Sequence, residues 1–323
     1  MAQNESNGEW LSGTARAAGG SRHFKLWVPE TLSETPEEKR PRPLVMLLHG
    51  CTLDAKEMAD ISGMNEVANA NHFLVVYPEQ SRLANLMKCW RWFHPQHQMR
   101  GTGEPAILAA VIDEVCSNHN VDRERIYVAG ISAGGAMAAI MAATYPDVFA
   151  AVAVCSGTEY KAASNLSEGM AAMKHGGPDP VRQGELAFEA MRTGLARKDR
   201  RRMPVIVFHG TADTRVTPVN SDQAIIQWSK TNALLAAEHQ ETGFALAEKV
   251  VEGSVSDKGP DTYAYKRYIY VEADDRLLME KWLIEGLGHA WSGSAHPSAH
   301  GDPKGPNASA EIWRFFRETS SQR

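Results

Sequence analysis

Short, continuously apolar runs recur along the chain, separated by stretches in which apolar residues return every three or four positions. Residues 44–48, 73–77, 150–155 and 204–208 are the apolar runs, the pattern of strands buried on both faces. Residues 23–29 alternate and stop at Pro29, residues 263–271 alternate after a turn rich in glycine and aspartate, and 281–284 form the last expected strand. Helical spacing covers 54–70, 104–118, 222–237 and 308–317. In the second of these Pro105 suits a first turn, and Ile107, Leu108, Val111, Ile112 and Val115 repeat along one face. Residues 1–20 are polar and read as a separate entry segment with a short edge strand near Trp10; 31–43 read as a charged surface loop. Residues 157–202 lack strand character and form a lid-like, partly helical insertion after the sixth strand. This rhythm predicts an α/β protein with a doubly wound, mostly parallel sheet, one domain spanning 21–323.

Composition narrows the function by exclusion. The net charge is −5, and the basic cluster at 197–202 precedes a strand, so it reads as a solvated helix end. No nucleic acid is expected as a partner. No apolar run approaches the length of a bilayer span, so no membrane insertion is expected either. Residues 1–10 carry neither the basic nor the apolar region of a signal peptide; the chain as written is expected to stay in the cytoplasm unless a leader was removed. Oligomeric state is left open. Four cysteines fit two disulfides or four thiols; Cys155, in an apolar strand, is expected as a buried thiol, and Cys116 is undecided.

The candidate chemistry centres on Gly130-Ile131-Ser132-Ala133-Gly134. It follows the apolar Ile126-Tyr127-Val128 and precedes an alanine-rich helical run, the strand–turn–helix setting of a G-x-S-x-G nucleophile elbow. A serine hydroxyl needs a base to take its proton and an acid to orient that base. In such a fold these follow in the order Ser, Asp/Glu, His, each after a strand. Asp213 closes the short loop after residues 204–208, where it also suits a turn. His289, in a glycine-flanked loop after 281–284, is the base candidate, with His296 and His300 as rivals in a proline-containing polar loop. Two amide N–H groups are needed for the oxyanion: Ala133, next to the serine, and Cys51, after the 44–48 strand. His49 is expected to shape that second loop. The density of Trp90, Trp92 and Phe93 fits either the core or a binding cleft. Trp90 and Trp92 are therefore substrate-binding candidates, as is Trp291, two residues beyond His289.

Taken together, these pieces resemble the short-chain polyhydroxyalkanoate depolymerase family of α/β-hydrolase esterases. The matching segments include Leu48-His49-Gly50-Cys51-Thr52, Cys89-Trp90-Arg91-Trp92-Phe93 and Gly101-Thr102-Gly103-Glu104-Pro105. Residues 130–137, 208–213, 288–293 and 302–306 complete the set, so the resemblance runs from about residue 20 to the C-terminus. It implies a serine esterase acting on poly(3-hydroxybutyrate), its oligomers or short esters, with triad roles on Ser132, Asp213 and His289 and no metal or other cofactor. It also implies a Cys51–Cys89 disulfide bracing the oxyanion loop, and an extracellular setting if a leader was removed. Relatives sharing the domain include feruloyl and acetylxylan esterases, so the ester reaction is better specified than the substrate. The sequence as written leads one to expect no Ser/Thr-rich linker or further domain after the core, which shifts the expectation toward oligomers, amorphous polymer and small esters. A silent hydrolase-fold binding protein would usually lack a triad member, and all three are present.

Overall fold

Among the described residues, one ten-stranded sheet organises the molecule. The computed structural model describes residues 8–30, 40–197, 200–241, 244–254 and 261–321. In chain order the strands are β1 (Gly8–Ala17), β2 (Gly20–Pro29), β3 (Arg42–Leu48), β4 (Leu74–Pro78) and β5 (Val121–Ile131). They continue with β6 (Ala151–Cys155), β7 (Val205–Gly210), β8 (Ala247–Ser254), β9 (Ala264–Val271) and β10 (Leu277–Ile284). Their order across the sheet is β1-β2-β4-β3-β5-β6-β7-β10-β9-β8. The six strands from β4 to β10 run parallel, and an antiparallel pair closes each edge. The helices are α1 (Ala55–Ser62), α2 (Met64–Asn71), α3 (Gly103–Asn118), α4 (Ala133–Thr144), α5 (Leu166–His175), α6 (Pro180–Arg192), α7 (Val219–Glu238) and α8 (Ala308–Ser321).

The two faces of β3 show why the apolar runs are continuous. Leu44, Met46 and Leu48 pack with α3 and α4, while Val45 and Leu47 pack with α1, α2 and α8. A strand covered on both sides has no polar face to alternate with. Helix α4 is buried at every position, and its small side chains let it lie close against β5 and β6.

Several boundaries differ from the sequence reading. The edge strand at Trp10 is not short: β1 pairs with β2 along ten residues, with Trp10 packed against Trp27 and Tyr77. The helix expected over 54–70 is two helices, because Gly63 adopts φ 60° and donates its N–H to Ala59, ending α1. Strand β8 has no counterpart in the sequence reading: its residues are nearly all exposed, so no buried face imposes a period. The last strand of the main sheet begins at Leu277, where Glu280 interrupts the apolar run. Residues 31–39 of the expected surface loop, and 198–199 of the basic cluster, lie outside the described residues.

Glu280 is fully buried and accepts from Arg267 at 2.6 Å, from Arg314 of α8 at 2.7 Å and from the indole N–H of Trp282 at 3.0 Å. It therefore joins α8 to β10 and β9 through one carboxylate. Removing it leaves Arg267 without its carboxylate partner and cuts Arg314 back to Glu311 and Glu318 of its own helix, so Glu280→Ala is expected to lower unfolding free energy by about 3 kcal/mol in urea titration. A loss below about 1 kcal/mol would contradict this account of how α8 is held.

Candidate active site

Ser132 sits between β5 and α4 with φ 58° and ψ −123°, a conformation that costs a non-glycine residue on the order of 1–3 kcal/mol. Its neighbours explain what enforces it. A Cβ on Gly134 would lie 2.2 Å from the carbonyl oxygen of Leu48, and one on Gly130 would lie 2.4 Å from that of Gly134. The start of α4 therefore lies against the ends of β3 and β5, which leaves the turn no gentler path. The Ser132 N–H is fixed by the carbonyl of Cys155 at 2.9 Å.

Asp213 follows β7 and His289 follows β10, both beyond the carboxyl ends of parallel strands. His289 Nδ1 lies 2.7 Å from Asp213 Oδ2. The other carboxylate oxygen accepts the N–H groups of Arg215 and Val216, each at 2.9 Å. Burial alone would raise the Asp213 carboxyl, but hydrogen bonding from His209 and His289 outweighs it and holds the group well below the usual carboxylate range. An ionised Asp213 accepts only, so His289 Nδ1 carries a proton and Nε2 is left as the basic nitrogen. The rival histidines have other surroundings: His296 is exposed, and His300 is half-buried with its backbone carbonyl accepting from Trp291.

The loop after β3 is held by His49. The Gln80 N–H donates to His49 Nε2 at 3.0 Å, so the proton sits on Nδ1, which donates to the carbonyl of Gly50 at 2.7 Å. That carbonyl shares a trans peptide with the N–H of Cys51, and the two point in opposite directions. Holding one on His49 turns the other away from it. Cys51 lines a cavity together with Ser132 and Ala133, and among the described residues no acceptor takes the N–H of Cys51 or Ala133. Trp90 donates its indole N–H to the carbonyl of His49 at 3.1 Å, and the Cys51–Cys89 disulfide implied by the resemblance is formed. Buried Glu104 completes the support, accepting from the side chain of Gln80 and from the N–H of Arg91.

The cavity has a volume of about 130 Å³. Its walls are mainly apolar: Trp92 and Phe93 on one side, Leu166, Met170 and Met173 of α5, and Val216 beside Asp213. Among the described residues no cluster of three or more metal-ligating side chains occurs, and no helix is long and apolar enough to cross a membrane.

Comparison with known proteins fits this geometry. The family model described as Esterase PHB depolymerase matches residues 32–250. The chain belongs to this family. Membership places it among carboxylic ester hydrolases of the α/β-hydrolase fold. It is 32% identical over 252 residues to poly(3-hydroxyalkanoate) depolymerase C of Paucimonas lemoignei, covering 76% of this chain and 54% of that protein. The chain thus spans about half the length of that relative. It is 29% identical to feruloyl esterase B of Thermothelomyces thermophilus, covering 82% of each. An acetyl xylan esterase from Aspergillus awamori shares the fold, with a TM-score of 0.65 at 20% identity over 92% of this chain and 94% of that one.

Within this esterase the three tryptophans separate. Trp92 lines the cavity. Trp90 does not: it is wholly buried beneath the loop after β3, where its indole N–H holds the carbonyl of His49. Trp291 is also buried, its indole N–H on Ser309 Oγ at 3.2 Å, because residues 291–292 pair with 301–302 and turn it into the core under α8. Proximity in sequence to His289 is no guide to which way a loop residue faces. The sequence reading missed Leu166, Met170 and Met173, although their i, i+4, i+7 spacing marks one face of a helix inside the strandless insertion. Cys155 is a buried thiol whose pKa burial raises, and Cys116 is a half-buried one.

Burial pushes the His49 imidazole down to about 4 from its ordinary 6.5. Above pH 6.5 both folded and unfolded chains keep it neutral. As pH falls toward 4 the unfolded chain takes up a proton that the folded one refuses, and stability declines by about 3 kcal/mol. His49→Gln removes this slope, so the stability gap between wild type and variant should narrow by about that amount from pH 7 to pH 4. A constant gap in urea titrations would contradict a neutral, buried His49.

Proposed function

We propose that this chain hydrolyses short-chain 3-hydroxyalkanoate esters, as oligomer or accessible polymer, through an acyl-enzyme on Ser132. His289 Nε2 takes the proton from Ser132 Oγ as that oxygen attacks the ester carbonyl. Asp213 keeps the imidazole in the required tautomer and stabilises it once charged. The Cys51 and Ala133 amides receive the developing oxyanion, each worth about 3 kcal/mol of transition-state stabilisation. His289 then returns its proton to the leaving alkoxide, and water, deprotonated by the same nitrogen, releases the acid and restores Ser132. No step uses a metal or cofactor.

The observation that carries this reading is a strained Ser132 beside two uncommitted amide N–H groups, in a chain whose His289 and Asp213 are already paired. The substrate class rests on two supports: the relative named poly(3-hydroxyalkanoate) depolymerase C, and a small apolar cavity that suits a short acyl group better than a feruloyl ring. In this proposal α5, within the 157–202 insertion, forms the acyl wall, and the catalytic unit includes the sheet from β1 onward. A second reading, removal of feruloyl or acetyl groups from a carbohydrate, is favoured by the match to feruloyl esterase B along most of both chains.

Turnover of p-nitrophenyl butyrate and of 3-hydroxybutyrate oligomers tests the mechanism. Ser132→Ala is expected to lose at least about ten-thousandfold in kcat, and Asp213→Asn about as much. Undiminished hydrolysis by Ser132→Ala would refute the acyl-enzyme. Release of 3-hydroxybutyrate faster than ferulate or acetate supports the first substrate class; the reverse order supports the second.

A further inference from the structure

We infer that His209 is a positioning residue that couples the Asp213 carboxylate to the wall of the acyl cavity, an inference resting on the Ser132–His289–Asp213 reading. His209 lies near the end of β7 and is buried. Its Nε2 is 2.7 Å from the carbonyl oxygen of Val216. A carbonyl only accepts, so Nε2 carries the proton. The same nitrogen lies 3.5 Å from Asp213 Oδ2, the oxygen that receives His289. Its Nδ1 is buried with no partner among the described residues. A proton there would be an unpaired buried donor, so the surroundings select the tautomer protonated at Nε2.

The consequence is a closed loop of contacts. Asp213 Oδ1 takes the N–H of Val216, His209 takes the carbonyl of Val216, and Val216 lines the cavity that contains Ser132. Displacing that wall therefore displaces the acid that orients the base. The His209 N–H also draws carboxylate charge toward itself, in competition with His289 for the same oxygen. Among the described residues, the other charged or titratable groups beside this cluster include Arg215 on the Asp213 loop, Lys174 of α5, whose ammonium donates to the carbonyl of Thr214 in that loop, and His300, whose imidazole is pushed down by burial, by Arg215 and by His289.

The test compares His209→Gln, whose amide N–H reaches the position of Nε2, with His209→Asn, whose shorter amide leaves Val216 and Asp213 without that donor. In the Asn variant the acid limb of kcat/KM should move up by roughly half a pH unit, with kcat about tenfold lower, while Gln stays within about twofold of wild type. A folded Asn variant with lowered kcat but an unmoved limb would reduce His209 to a packing role and overturn the inference, as would Gln behaving like Asn. Independently of any variant, nitrogen NMR of the wild-type protein should show the neutral His209 ring as the Nε2-protonated tautomer; the Nδ1-protonated tautomer overturns it. Ser132→Ala, assayed alongside, separates the two levels. Retained activity there means the triad reading itself has failed, whereas an inactive Ser132→Ala with an unmoved Asn profile removes only the role of His209.

Discussion

The start of α4 meets the ends of β3 and β5 at backbone contact, and much of the site depends on that approach. With no room for a Cβ at Gly130 or Gly134, the chain turns through a single residue, and Ser132 takes the positive φ that results. The same approach sets the first amide of α4 beside the loop after β3. Gly50 shows how near: a Cβ there would lie 3.5 Å from the Cβ of Ser132. The strain at the serine is local and is offset by a helix buried along its whole length.

The second half of the site is a loop that a helix does not hold. His49, Trp90, Gln80 and Glu104 hold it by hydrogen bonds, and the Cys51–Cys89 disulfide holds it covalently. Each polar side-chain atom of these four residues has a hydrogen-bond partner, Gln80 Oε1 taking the N–H of Ser81, which matters because an imidazole or carboxylate buried without one is costly. The geometry is therefore organised before any ester arrives, the condition under which fixed dipoles stabilise a transition state without reorganising. Asp213 is treated alike: four donors converge on its two oxygens, counting the longer approach of His209.

What the sequence made legible follows from what each residue is for. Strands β3, β4, β6 and β7 are apolar along their length because both faces are covered, and Ser132, Asp213 and His289 stand out because they follow the ends of β5, β7 and β10 in a fixed order. Strand β8 was invisible because it buries nothing. The early start of β10 was hidden by Glu280, a charge tolerated only because two arginines from other elements reach it. Trp90 and Trp291 misled for a related reason: an aromatic residue in a loop announces burial, but whether against substrate or core is decided by distant partners, here His49 and Ser309.

The account stands on Ser132 being the one nucleophile, and covalent trapping tests it most directly. Incubating the protein with a p-nitrophenyl alkylphosphonate and mapping the adduct by peptide mass spectrometry should give one label per chain, on the peptide that carries Ser132, with activity lost in proportion. Label on another residue, or full labelling at Ser132 with esterase activity intact, would contradict it.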